Sequence, residues 1–235
     1  MSMQRFTNAV RAHLVAHFAS SRTSGHDPAS PPPLHSYGPE DIVAFVDFQN
    51  LHYFLKESCR VPASQVHMPN LLHEFGEMHS LPITQMIFVT GIHDPRREPI
   101  RYQAMAKRVR WLRFCGARVI TIPLVYMNKP ESGLVAVEKG VDVRLACELM
   151  KAVFGGLRRG IVVSQDIDLG QSILTAKDVA QQMGRSFTAF SPRLDGATWD
   201  RSARSGLHGL HGSTTLPFPV ELARKHCRPE VNVDE

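Results

Sequence analysis

Short apolar runs alternate along the chain with longer segments that have helical periodicity. The runs 42–46 and 161–163 are continuously apolar, which is typical of strands buried on both faces of a parallel sheet. Further strands are predicted at 83–89, 118–122, 186–190 and 215–218, and two short β segments at 125–127 and 134–137. Helices are predicted between them at 51–59, 70–78, 98–114, 140–154 and 169–183. This alternation predicts an α/β fold with a mainly parallel sheet and helices on both of its faces.

The two ends of the chain differ from this central domain. Phe6, Val10, Leu14 and Phe18 are spaced four residues apart, which favours a short amphipathic helix at 3–19. Ser, Pro and His then dominate up to residue 38, a composition typical of a linker. We therefore predict an N-terminal extension at 1–40, a folded domain at 41–220 and a polar tail at 221–235. A docking helix and a disordered arm are both compatible with the extension.

Composition narrows the class of protein. The chain has 235 residues, of which 43% are hydrophobic and 21% charged, as is ordinary for a soluble globular protein. No apolar run approaches the ~20 residues of a membrane helix, so no membrane partner is expected. The net charge of +5 permits a polyanionic partner. Four scattered cysteines without a C-x-x-C pair predict reduced thiols in a cytoplasmic protein: Cys59, Cys115, Cys147 and Cys227.

Carboxylates follow the two clearest buried strands. Asp47 comes directly after the run 42–46, and Asp166 and Asp168 come shortly after the run 161–163. Because ligands gather beyond the carboxyl ends of parallel strands, we expect these acids at one edge of the sheet, bordering an active site. A helix cap is the alternative for Asp166 or Asp168, since Asp is favoured at that position.

A further acid, Asp142, opens the helix predicted at 140–154. Arg144, Glu148 and Lys151 form the polar stripe of this helix, whereas Asp142 falls on its apolar side. The helix N-terminus stabilises such an acid by only ~0.3–1 kcal/mol, so burial calls for a further partner. The alternative is an acid bonded to nearby backbone N–H groups. Four converging acids would need a counter-charge, and their oxygen ligands suit Mg²⁺ or Mn²⁺.

Three segments together resemble the NYN domain, a branch of the PIN-like nucleases that includes LabA-like proteins. Val-Asp-Phe-Gln-Asn-Leu at 46–51 resembles its D-x-x-N strand end, and Glu-Lys-Gly-Val-Asp-Val at 138–143 is similar to its K-G-V-D-V helix start. Ser-Gln-Asp-Ile-Asp-Leu at 164–169 resembles its S-G-D-x-D-F segment. The resemblance covers roughly 41–218. Gln165 and Leu169 depart from it, because the family has Gly and an aromatic residue there.

The resemblance implies a Rossmann-like, PIN-like three-layer α/β/α fold and a metal-dependent endoribonuclease. It implies an acidic centre for one or two Mg²⁺ or Mn²⁺ ions, oriented by Asn50, with Ser164 as a supporting residue. The expected ligands, direct or through water, are Asp47, Asp142 and Asp166, and Asp168 is expected to act as a ligand or general base. The departures remove no carboxylate. The oligomeric state stays open, a homodimer included.

The predicted partner is RNA. Eight Lys or Arg residues and one acid lie between Arg96 and Arg118. We expect Arg101, Arg108 and Lys139 to contact phosphates, with a solvated surface as the alternative. A non-catalytic RNA-binding or regulatory domain is the alternative function. An aspartyl-phosphate phosphatase is disfavoured, because that mechanism needs D-x-D at the first strand and Asp47-Phe48-Gln49 lacks the second acid.

Overall fold

The computed structural model describes residues 36–129, 131, 133–194 and 209–228. The chain divides into two units, 1–33 and 34–235. The predicted helix at 3–19 and most of the linker therefore lie outside the described residues. So does the end of the chain from residue 229. The description below concerns the second unit.

A six-stranded parallel sheet is the centre of the domain. Its order is β3-β2-β1-β6-β7-β8, and every neighbouring pair is parallel. These strands are β1 (Ile42–Asp47), β2 (Gln85–Ile92), β3 (Arg118–Pro123), β6 (Arg159–Val163), β7 (Thr188–Leu194) and β8 (Thr214–Phe218). A separate antiparallel hairpin consists of β4 (Val125–Lys129) and β5 (Gly133–Val137). The parallel sheet predicted from the apolar runs is confirmed.

Helices cover both faces of this sheet. They are α1 (Phe48–Tyr53, continued by a π-helical turn at Phe54–Ser58), α2 (Met68–Met78), α3 (Pro99–Phe114), α4 (Val141–Phe154), α5 (Leu169–Gln182) and α6 (Val220–Lys225). In β1 the residues Ile42, Ala44 and Val46 face the core beneath α1, α2, α3 and α6. Val43 and Phe45 alternate to the other core, beneath α4 and α5. The three-layer, Rossmann-like α/β arrangement is thus confirmed.

Some boundaries differ from those expected. The helix after β1 begins at Phe48, not residue 51, because the Asp47 side chain accepts the Asn50 N–H and caps it. The helix α6 lies where the polar tail was expected to begin, because Leu222 and Ala223 pack into the core. No helix in the described part of the chain combines the length and apolar character needed to cross a membrane.

The strand order reverses beside β1. The chain moves from β1 outward through β2 to β3, then returns to the other side of β1 with β6. In sheets of this type, the point of reversal leaves a crevice outside the carboxyl ends of the two central strands. Asp47 closes β1 and Ser164 follows β6, so the predicted acidic segments border this crevice.

The polar stripe of α4 forms a buried ion network. The Glu148 side chain is only 1% exposed and lies 3.0 Å from Arg118, 3.0 Å from Arg144 and 2.9 Å from Lys151. Burial alone would raise the pKa of Glu148, but the Lys151 hydrogen bond and the two arginine charges outweigh it and lower that pKa. Since Arg118 starts β3, this network fastens α4 to the sheet.

Replacing Glu148→Gln is expected to destabilise the domain by about 2–4 kcal/mol near neutral pH, because it leaves three cations around an uncharged buried group. Since the folded pKa is depressed below 4.5, the Glu148 contribution is present above that pH and is lost as pH falls through the folded pKa. Chemical denaturation across this range measures both effects. Glu221→Gln, which removes an exposed partner of Arg224, is the matched control, and an equal loss in both variants would contradict the prediction.

Candidate active site

An open cleft of about 750 Å³ lies at the reversal point of the sheet. It contains three of the four acids singled out in the sequence, together with Glu138. The polar residues that line it are Asp47, Gln49, Asn50, Glu138, Lys139, Asp142, Gln165 and Asp166. Tyr53, Val141 and Val143 contribute apolar surface. The cleft is therefore strongly acidic, with one lysine among its lining residues.

A chain of hydrogen bonds joins the ends of β1 and β6. The Asp47 carboxylate accepts the Asn50 backbone N–H at 2.9 Å and the Asn50 side-chain amide at 2.7 Å. The same amide nitrogen donates to the Ser164 Oγ at 2.9 Å, and that Oγ accepts the Asp166 N–H at 3.1 Å. Asn50 and Ser164 thus lie between the two acidic segments and set the distance between them.

Glu138 is the acid that the sequence did not single out. It follows β5, and its Oε2 accepts the Gly91 N–H from β2 at 2.9 Å. With its amide nitrogen facing the carboxylate, Gln49 donates to both Glu138 oxygens, at 2.7 and 3.2 Å. The signal was present in the sequence, because Glu138 directly follows a predicted β segment, as Asp47 does.

The electrostatics of the cleft favour protonation of its buried acids. Burial raises the pKa of Asp47 to about 7, against the Asn50 N–H bond, and the charges of Glu138 and Asp166 add to the rise. Burial likewise raises the pKa of Glu138, opposed by the Gly91 N–H and assisted by Asp142. Within the described ranges, none of these four carboxylates forms an ion pair. No paired cation therefore neutralises these carboxylates in the described part of the chain, although Lys139 also lines the cleft.

Gln165 occupies the position where the NYN-like motif has Gly. It does not adopt a positive φ, the conformation for which Gly would be required, so this turn is compatible with glutamine. Its amide nitrogen is buried and has no hydrogen-bond partner in the part of the chain that the structure describes. An unsatisfied buried donor next to a ligand-sized cleft is unusual in a native fold and suits an oxygen of a bound molecule.

Asp168 and the two predicted arginines lie outside the cleft. Asp168 is exposed, and its backbone N–H donates to Asp166 Oδ1 at 3.0 Å, while its side chain forms no helix-capping bond. Arg101 pairs with Glu98 at 3.4 Å on the surface of α3. Arg108 donates to the backbone oxygen of Ser64 at 2.8 Å, which anchors α3 to the loop before α2.

The carboxylates form an open arrangement. Across the described residues, no three His, Cys, Asp or Glu side chains form a group that could hold a metal ion. A Mg²⁺ site in proteins often uses only one or two carboxylates and keeps several waters. Asp47, Glu138, Asp142 and Asp166 supply the oxygen donors that such a water-rich site needs. The donor set therefore fits a hard divalent ion bound partly through water.

No protein-family model matches this sequence, and a search of curated proteins finds no match. Among solved structures, the chain is similar to a protein of unknown function from Vibrio parahaemolyticus, with 18% sequence identity and a TM-score of 0.43. That similarity covers 67% of this chain and 84% of the other.

The raised pKa of Asp47 predicts a pH dependence of stability. Folding favours the protonated carboxyl, so the stability of the wild type relative to Asp47→Asn is expected to fall as pH rises from about 4 to about 7. The fall is at most about 4 kcal/mol, with a plateau at higher pH. Denaturant unfolding in the presence of chelator measures this difference. The control is Asp178→Asn, at an exposed position of α5, and its stability difference from the wild type should not change with pH. If the stability of the wild type relative to Asp47→Asn instead rises with pH, the raised pKa of Asp47 is refuted.

Proposed function

We propose that this chain is a metal-dependent ribonuclease of the NYN type that hydrolyses RNA phosphodiester bonds. The observation that supports it most is the set of four carboxylates around one cleft, none of which has an ion-pair partner in the described residues. Such a site favours a divalent cation. Two further observations support RNA as the polyanionic substrate. They are the net charge of +5 and the resemblance of three segments to the NYN domain.

The proposed roles follow from the contacts of each residue. Bound Mg²⁺ or Mn²⁺ would supply an activated water and stabilise negative charge on the phosphate. Asp47, Asp142 and Asp166 would hold it, directly or through water, with Asn50 fixing the orientation of Asp47 through two hydrogen bonds. Glu138, held by the Gly91 N–H, would add a further oxygen donor to the cleft.

Two further side chains are suited to the substrate. Lys139 is exposed and lines the cleft, so it can pair with a phosphate. The unpartnered amide nitrogen of Gln165 would donate to a phosphate oxygen or to a metal-bound water. Asp168 remains the proposed general base or outer ligand, acting from the exposed side of Asp166.

Metal-dependent RNA cleavage is the direct test. We expect labelled RNA, single-stranded or structured, to be cut in Mg²⁺ or Mn²⁺ and not in chelator. Asp142→Asn and Asp166→Asn should each lower kcat/KM about 100-fold or more, as does removal of one transition-state-stabilising group in other enzymes. Asp168→Asn should lose less, because its side chain lies outside the cleft.

Asp178→Asn supplies the matched control for these substitutions and should retain wild-type activity. Cleavage that persists in both Asp142→Asn and Asp166→Asn would indicate a contaminating nuclease. Metal-independent RNA binding without cleavage would instead favour the alternative of a non-catalytic RNA-binding domain.

Metal binding can be measured separately from cleavage. Adding Mn²⁺ to the chelator-treated wild type should raise its melting temperature, because a ligand that binds the folded state stabilises it. The rise should be larger at pH 8 than at pH 5.5, since the raised pKa of Asp47 leaves that carboxyl protonated at the lower pH. Asp142→Asn should show a smaller rise than Asp178→Asn, and equal shifts in the two variants would argue against this site.

A further inference from the structure

A second cavity lies beyond the carboxyl ends of β2 and β3. Its volume is about 280 Å³, and its walls include Ile92, His93, Tyr102, Pro123 and Leu124. Ligand cavities for drug-sized molecules span roughly 300–1,000 Å³, so this one suits a single flat ring system. Its largely apolar lining contrasts with the acidic cleft, and none of the proposed metal-binding residues borders it.

One glycine separates the two cavities. The Gly91 N–H holds Glu138 on the wall of the acidic cleft. A Cβ added at Gly91 would lie 2.4 Å from Leu124 Cδ2 and 2.7 Å from Glu138 Oε2. Leu124 borders the second cavity and Glu138 borders the acidic cleft, so side chains that line the two sites lie close together at Gly91.

The second cavity also has a polar side chain, His93, that is held by a neighbouring tyrosine. The Tyr126 hydroxyl oxygen accepts the Asp94 N–H at 3.1 Å and lies 3.3 Å from His93 Nδ1. The hydroxyl can donate to Nδ1 or accept from it, according to the tautomer of the imidazole. His93 thus brings a polar ring, which can donate or accept a hydrogen bond, to the wall of the cavity. The Asp94 carboxylate is engaged by the Arg96 N–H at 2.7 Å.

Exposed arginines flank this cavity. The Arg97 guanidinium lies 5.0 Å from the centroid of the Tyr126 ring. Arg101 precedes Tyr102 in α3, and its side chain is 66% exposed. Their pairings with Asp94 and Glu98 are long surface contacts of 3.9 and 3.4 Å, which contribute little and leave both arginines available to a phosphate.

We propose that this cavity binds one nucleobase of the RNA whose phosphodiester lies in the acidic cleft, an inference that rests on the proposed function. Aromatic and apolar walls suit the faces of an unstacked base, and the His93 imidazole suits a hydrogen bond to its edge. Arg97 and Arg101 contact the adjoining phosphates. The cavity consequently gives cleavage a base preference at one position next to the scissile bond.

Sequencing the products from a randomised single-stranded RNA pool tests this inference. The wild type should show enrichment of particular bases at one position beside the cut. Leu124→Phe fills the cavity and should abolish that enrichment and raise KM about tenfold, within the range for one stacked base. Leu134→Phe is the matched control, because Leu134 is 54% exposed and borders neither cavity. Tyr102→Ala, which removes an aromatic wall, should weaken the same preference, and melting temperatures verify that each variant is folded.

An abasic nucleotide at the preferred position gives the decisive comparison. It should raise KM for the wild type and leave KM for Leu124→Phe unchanged. Unaltered base preference in both folded cavity variants, with metal-dependent cleavage intact, would overturn the base subsite alone. Failure of the wild type to cleave any RNA would overturn the proposed function and the base subsite together.

Discussion

The burial of the Asp47 carboxylate at the end of a central strand is the constraint on which the candidate site depends. Folding places this group at the reversal point of the sheet and removes it from water, with amide donors but no described cation as partners. An isolated buried charge is costly. The domain accommodates it by favouring the protonated form, and the proposed divalent ion would have to replace that proton.

Two well-buried acids of the domain, Asp47 and Glu148, have opposite electrostatic surroundings. Glu148 is surrounded by three basic side chains and serves to connect α4 with β3. Asp47 and its neighbours receive no such compensation in the described residues. Both acids are almost fully buried, so burial alone does not separate a structural carboxylate from one suited to binding. The charge of the surrounding side chains makes that distinction.

Much of the fold was predictable because its central strands are continuously apolar. The runs at 42–46 and 161–163 identify strands buried on both faces; Asp47 directly follows the first run, and Asp166 comes three residues after the second. Glu138 also follows a predicted β segment, but its place in the cleft could not be predicted, because it depends on Gly91, 47 residues away in sequence. The burial of Glu148 in α4 could not be predicted either, because it depends on an ion pair with Arg118 of β3. The residues that line the second cavity come from separate segments of the chain, so the pattern of apolar and polar positions does not predict that they meet.

The glycine between the two cavities has a consequence for sequence divergence. At Gly91 any side chain would press on Leu124 and on Glu138 at once. A substitution there would alter the shape of the apolar cavity and displace an acid of the cleft in a single step. The shapes of the cavity and of the cleft are therefore not independently adjustable at this position. The cavity can change without the cleft only through lining residues farther from Gly91, such as Tyr102 and His93.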